Sequence, residues 1–260
     1  MTSTAAPAPT PVTVRGTAIG AGRPKVIVPL TGGTVDELLA QAAVVVAAGP
    51  DVVEWRVDHL DDGRATPEAA AAAGTALRGA LGDLPLLVTI RTTHEGGLAD
   101  VTDDAYAAGY RAVLATGVVD LLDVEVMRDP GTVRALVDLA HAAGAAVVAS
   151  NHDFDATPAL DEIVRRLLLM AERGADVLKI AVMPRDPGDV LTLLAATWET
   201  ALRTDRPLIT MSMAATGVAS RVAGGVFGSA ATFGTVGRAS APGQVELGAL
   251  RAALDVVHGG

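Results

Sequence analysis

The chain has 260 residues, half of them apolar, with 3% aromatic residues, no cysteine and a formal net charge of −10. This composition excludes a disordered chain, disulfides, a thiolate nucleophile and a Cys-ligated metal, and a field of that sign repels phosphodiester backbones. No uncharged apolar run approaches the roughly 18–20 residues of a membrane helix, so a cytoplasmic protein with no nucleic-acid and no membrane partner is expected.

Met1–Pro11 is Ala, Pro and Thr without a basic region, and reads as a disordered tail rather than a signal peptide. A single domain is expected over 12–260. Val12–Ile19 precedes the repeating pattern, and a hairpin closing the floor of the fold is expected there. Short β-branched apolar runs then alternate with Ala-rich segments of helical period. Strands are predicted at Val26–Leu30, Val52–Arg56, Leu86–Arg91, Leu121–Val126, Ala146–Asn151, Val177–Ala181 and Leu208–Met211, with an eighth around Gly225–Gly228. Helices are predicted at Val35–Ala48, Pro67–Leu81, Tyr106–Ala115, Val133–Ala143, Ala159–Arg173, Pro187–Thr204 and Pro242–Val257. Thr34-Val-Asp-Glu37 has the capping-box pattern, and Thr66-Pro67 and Thr157-Pro158 each set a cap residue before proline. Gly49, Gly82, Gly144 and Gly174 stand where helices should stop.

The strand runs are mostly continuously apolar, as in a parallel sheet covered on both faces. Eight such units predict a (β/α)8 barrel. A doubly wound sheet is the competitor, but no Gly-x-Gly-x-x-Gly turn follows the first strand. In a barrel, chemistry gathers at the C-terminal strand ends. Those ends are polar here: Glu54-Trp-Arg56-Val-Asp58-His59, Thr89-Ile-Arg91 with His94-Glu95-Gly-Gly97, Asp123-Val-Glu125, and Ser150-Asn-His152-Asp-Phe154. By the period of two, Glu54, Arg56 and Asp58 share one face, where charges must pair.

Only two of the 20 basic residues are lysines, Lys25 and Lys179. Arginine cannot act as an amine nucleophile and lysine can, so a retained lysine draws notice. Lys25 has a solvated reading. Lys179 lies mid-strand among apolar residues; its plain reading is a buried ion pair, its functional one an amine that burial and nearby guanidinium groups free to attack a carbonyl. His152 is the natural proton shuttle beside it, with a hydrogen-bonded structural histidine as the alternative. His59 and His94 are supporting candidates, while His141 and His258 read as surface residues. His152, Glu54, Asp123 and Glu125 lack the close spacing of a metal site, and neighbouring arginines oppose a cation. Ser220–Gln244 reads as a phosphate cradle, a lid or plain small-residue packing, with Arg221 suited to a carboxylate.

These segments, together with Val177-Leu-Lys-Ile-Ala-Val-Met-Pro184, Ile209–Met213, Ser220-Arg221, Val226–Phe233 and Ser240–Gln244, resemble the type I 3-dehydroquinate dehydratases, Schiff-base-forming (β/α)8 enzymes of the shikimate pathway. The resemblance runs from about Lys25 to the C-terminus. It implies that Lys179 forms an imine with the substrate C3 carbonyl, and that His152 takes the C2 proton and returns it to the departing C1 hydroxyl. It implies that Glu95 tunes that histidine and that Arg221 binds the C1 carboxylate. Glu54, Arg56, Arg91, Ser240 and Gln244 would hold the remaining polar groups, with Asp123 behind them. No cofactor and no metal is implied, and a homodimer is. One departure is Pro29 in Val28-Pro29-Leu30, where some members carry a substrate-contacting serine. The alternatives from other classes are an aldolase-like Schiff-base lyase and a non-catalytic barrel that binds a carboxylate metabolite.

Overall fold

The computed structural model describes residues 8–237 and 243–259. Eight parallel strands lie in chain order in one sheet: β3 (Lys25–Leu30), β4 (Val52–Arg56), β5 (Leu86–Thr89), β6 (Leu121–Glu125), β7 (Ala146–Asp153), β8 (Val177–Val182), β9 (Leu208–Ser212) and β10 (Ala231–Thr235). The sheet closes on itself where Leu208 and Ser229 form a parallel bridge and the Ala230 N–H donates to the Leu208 carbonyl at 2.6 Å. Helices α1 (Val35–Ala48), α2 (Pro67–Leu81), α3 (Asp103–Leu114), α4 (Pro130–Ala142), α5 (Leu160–Glu172), α6 (Pro187–Ala201), α7 (Val218–Ala223) and α8 (Leu247–His258) connect and surround it. This is the (β/α)8 barrel that the strand spacing predicts.

Alternation along the strands sorts the core into two layers. Val28, Trp55, Val88, Leu122 and Ile180 face outward into the cluster shared with the helices, whereas Ile27, Val52, Leu87, Leu121, Val177 and Ile209 face into the barrel. Those inward apolar residues fill only the lower half. One step up, the same face carries Glu54, Thr89, Asp123, Ser150 and Lys179, all buried. The polar interior is therefore the continuation of the strand pattern, moved from floor to mouth. The floor is covered by the antiparallel hairpin of β1 (Val12–Val14) and β2 (Thr17–Ile19), whose Ile19, Val12 and Val14 pack against the inner cluster. Thr10, assigned to the tail by composition, is bonded through its N–H to the Asp205 carbonyl at 2.7 Å, and residues 1–7 lie outside the described residues.

Three local expectations are corrected. Gly225–Gly228 is a 3-10 turn, Gly224–Phe227, and the eighth strand is β10, three residues beyond Gly228. Glycine packs poorly in a strand, and Gly228 turns the chain at φ 109°, a conformation that favours glycine; Ala-Thr-Phe-Gly-Thr has the β-branched and aromatic residues a strand wants. Thr157 does not cap α5; its hydroxyl donates to the Met183 carbonyl at 3.0 Å and the cap position is Ala159. The C-terminal helix starts at Leu247 because Val245–Glu246 first pairs as β11 with the top of β10.

That last pairing also accounts for Pro29. The Lys25 N–H faces β10 and the Val26 carbonyl faces β4, so by alternation the N–H that proline lacks would face β10. The ladder between β10 and β3 ends at Phe233–Ile27, below Pro29, so no ladder bond is lost there. Among the described residues, no helix is long and apolar enough to cross a membrane.

Candidate active site

The Lys179 ammonium stands at the centre of the barrel, donating to Asp123 Oδ2 at 3.1 Å and lying 3.6 Å from Glu54 Oε1. Its Nζ is 4.7 Å from the centre of the Phe233 ring. Two carboxylates and an aromatic face surround the amine, and the guanidinium of Arg91 binds the other oxygen of the same Asp123 carboxylate. Thr89 fixes Glu54 by donating to Oε1 at 2.9 Å.

Arg91 organises the neighbouring strand ends. Its Nη1 reaches Glu95 at 3.2 Å, Glu125 at 3.0 Å and Ser150 Oγ at 3.0 Å, and its Nη2 reaches Asp123 at 2.7 Å. Burial opposes the guanidinium charge, but Asp123, Glu125 and Glu95 outweigh it and hold Arg91 well above its ordinary pKa. Burial likewise opposes the Asp123 carboxylate, and Arg91 and Lys179 overcome that and hold it below the usual range. A charge network this dry persists only because each member is paired.

Glu95 and His152 form a hydrogen-bonded pair. Glu95 Oε2 is 2.8 Å from His152 Nδ1 and also accepts the His152 backbone N–H at 3.0 Å. Burial pushes the Glu95 carboxyl up to about 8, with Arg91 pulling the other way. Burial holds the His152 imidazole well below its usual value, reinforced by Arg91, Lys179 and Arg56. The imidazole is therefore neutral at rest, as a base must be.

One cavity is lined by Lys179, Glu54, Arg56, Arg91, Glu95, His152, Arg221 and Gln244, the residues that the sequence singles out. Ser240, expected with them, lies outside the described residues. Arg221 projects from α7, where burial lowers its pKa to about 10 and still leaves it cationic at neutral pH. Asp58 does not join the cavity. The strand ends at Arg56, a 3-10 turn begins at Val57, and the alternation stops before Asp58. Its carboxylate instead clasps the Arg56 fork at 2.7 Å to both Nε and Nη2. His59 stands 4.0 Å from Asp58, beyond hydrogen-bond reach, and His94 lines a separate open cleft outside that cavity. Among the described residues no cluster of His, Asp and Glu is arranged to hold a metal.

The sequence reading missed the apolar wall of Phe154, Ala181, Met211, Met213 and Phe233. Met211 and Met213 follow from extending the inward face of β9 by two and four residues from Ile209. Phe154 and Phe233 carry no comparable signal outside their motifs.

The sequence model described as Type I 3-dehydroquinase matches residues 26–260. The chain belongs to that family. It is 50% identical over 247 residues to a 3-dehydroquinate dehydratase of Klebsiella pneumoniae, covering 95% of this chain and 98% of that protein. Against the enzyme of that name from Salmonella agona the identity is 49% over 248 residues, with the same coverage. A solved type I 3-dehydroquinate dehydratase of Clostridium difficile, with covalently modified comenic acid, superposes with a TM-score of 0.92 at 41% identity, covering 96% of this chain and 99% of that one. The Enterococcus faecalis 3-dehydroquinate dehydratase gives 0.89 at 39%, covering 95% and 100%. The type I 3-dehydroquinases are hydro-lyases that work through a lysine Schiff base, and these matches do not favour the aldolase-like or non-catalytic alternatives.

Proposed function

We propose that this cavity removes water from 3-dehydroquinate to give 3-dehydroshikimate through an imine on Lys179. One observation carries the reading: the buried Lys179 amine opens into the same cavity as the Glu95–His152 pair, so carbonyl capture and proton transfer act on adjacent atoms.

Lys179 adds to the C3 carbonyl and expels water, leaving an iminium. That electron sink acidifies the C2 proton, and His152 takes it through Nε2, the ring nitrogen not facing Glu95. The resulting enamine pushes out the C1 hydroxyl, which leaves as water with the proton His152 carries. Hydrolysis of the conjugated imine releases product and restores the amine. Asp123 and Glu54 accept from or stand beside the ammonium, which supports a role in carrying its proton during imine formation and hydrolysis. Arg221, against the apolar Met211 side chain, suits the C1 carboxylate, because a charge pair gains strength where water is excluded. Arg56, Arg91, Ser240 and Gln244 complete the polar lining in this reading, and no cofactor is required.

Borohydride tests this directly. With 3-dehydroquinate present, reduction should leave a covalent adduct on the peptide that contains Lys179; folded protein without an adduct would refute the imine. A homodimer in the cytoplasm is the assembly and setting that the family resemblance and the cysteine-free composition support.

A further inference from the structure

The carboxylate beside His152 is held from a direction that the proposed mechanism does not use. Glu95 Oε1 accepts from Asn151 Nδ2 at 3.1 Å, and Asn151 Oδ1 accepts from Arg166 Nη1 at 3.0 Å. Arg166 belongs to α5, in the outer helical layer, and borders a cleft whose lining also includes Asn151 and His152.

We propose that Arg166 is a positioning residue for the dehydration: its guanidinium fixes the orientation of the Asn151 amide, and the amide fixes Glu95 for His152. Donor direction decides which way the amide lies. A guanidinium only donates, so Asn151 must turn its oxygen toward Arg166 and its NH2 toward Glu95. The reversed amide sets donor against donor at Arg166 and acceptor against acceptor at Glu95. Oε1 is thereby committed to accept. Oε2 already accepts from the His152 backbone N–H and from Arg91. With donors on both oxygens, the carboxylate form of Glu95 is favoured against the burial that pushes its pKa up to about 8, and in that form it receives the His152 Nδ1–H. That sets the tautomer whose free nitrogen, Nε2, is the base.

Arg166 is itself held for this task. Its Nε donates to Glu162 at 2.7 Å one helical turn away, and Nη1 also reaches Asp153 at 3.2 Å. These two carboxylates anchor the fork and leave its end on Asn151. The charged groups acting on Glu95 and His152 from the other elements are Arg91, Glu125, Asp123, Lys179 and Arg56, whereas the Asn151 amide oxygen accepts from Arg166.

The inference rests on His152 and Lys179 acting as proposed above. Its test uses the whole enzyme with Arg166→Met, Arg166→Lys and, as control, Arg165→Met, which removes the exposed neighbour that clasps the same Glu162 without reaching Asn151. kcat and KM for 3-dehydroquinate are measured between pH 6 and 9.5, with borohydride trapping on each variant. Arg166→Met should lower kcat about tenfold or more with KM little changed, as for a misplaced base. The acid limb of its profile should rise by roughly one pH unit, the worth of one hydrogen bond to a carboxylate. Arg166→Lys keeps the charge but not the fork, so its limb should move the same way by less, and it carries the test if the methionine variant does not fold. Arg165→Met should match the wild type. Coincident limbs for wild type and both Arg166 variants would overturn the proposal even if kcat fell, because helix damage alone lowers activity without moving the limb. Adducts on Lys179 in every variant keep the imine reading standing in that case; their absence from the wild type would refute that reading instead.

Discussion

Replacing Arg91 by methionine keeps the length of the side chain and removes the one cation that Asp123, Glu125 and Glu95 share. The contacts are at 2.7, 3.0 and 3.2 Å, and all four side chains are buried. Breaking a buried ion pair from one side costs about 3–5 kcal/mol, because the remaining charge stays dry and uncompensated. Lys179 still neutralises part of Asp123, and Arg128, 3.7 Å from Glu125, part of the rest, which keeps the expected loss inside that range. For a domain of this size that is roughly 6–20 °C in Tm. The loss should depend on pH. Asp123, held low in the folded protein, contributes stability above its unfolded pKa that disappears as pH falls through its folded one. Glu95, already raised, rises further without Arg91 and takes up a proton more readily in the folded state. The variant should therefore be most destabilised at pH 8.5 and recover part of the difference by pH 6. Urea denaturation of both proteins at the two pH values measures this. A loss below about 1 kcal/mol at pH 8.5, or one that does not change with pH, would refute the account of Arg91 as the shared counter-charge.

Three further outcomes are expected. Lys179→Ala and Lys179→Arg should both reduce turnover below about a thousandth of wild type, since neither forms an imine at neutral pH, while Asp123 keeps Arg91 and Ser150 as partners and the fold survives; steady-state assay and circular dichroism check the two halves. In the wild type, kcat/KM should fall as pH drops through about 8, where the Glu95–His152 pair gains a proton and Nε2 ceases to be a free base. Glu95→Gln should abolish that limb, and a limb unchanged in the variant would assign it to another group. Gly96→Ala should raise KM and cost about 1–2 kcal/mol: Gly96 sits at φ 78°, and an added Cβ would run into the Phe154 ring that lines the same cavity.

How far the site can be read from sequence follows from where each constraint originates. Lys179, Glu54, Arg56 and Asp123 are legible because they interrupt apolar strands on the inward face, and alternation along a strand is a local property. Helix α1 is legible to the residue because its Thr34–Glu37 capping box and the left-handed Gly49 close both ends within the chain's own neighbourhood. Thr157 has the same local pattern and fails as a cap, because its hydroxyl is claimed by the end of a strand 26 residues on. The eighth strand is misplaced for a related reason: glycines at 224, 225 and 228 dilute the local signal, and what fixes β10 is its register against β3, about 200 residues away in the chain.

The groups that tune the site are of that second kind. Arg91 meets its partners across 32 and 34 residues, Glu95 meets His152 across 57, and Arg166 reaches Asn151 from a helix whose own pattern announces only an amphipathic surface. An inward polar residue on a strand marks where chemistry can occur. Its protonation state is set by which donors and acceptors the barrel brings to it from other strands, so the residue identities at the site are carried by the sequence pattern and their acid–base behaviour by the closed fold. It follows that substitutions on α5, invisible to any motif, should move the pH profile of the reaction when they reach Asn151 and leave it alone when they do not.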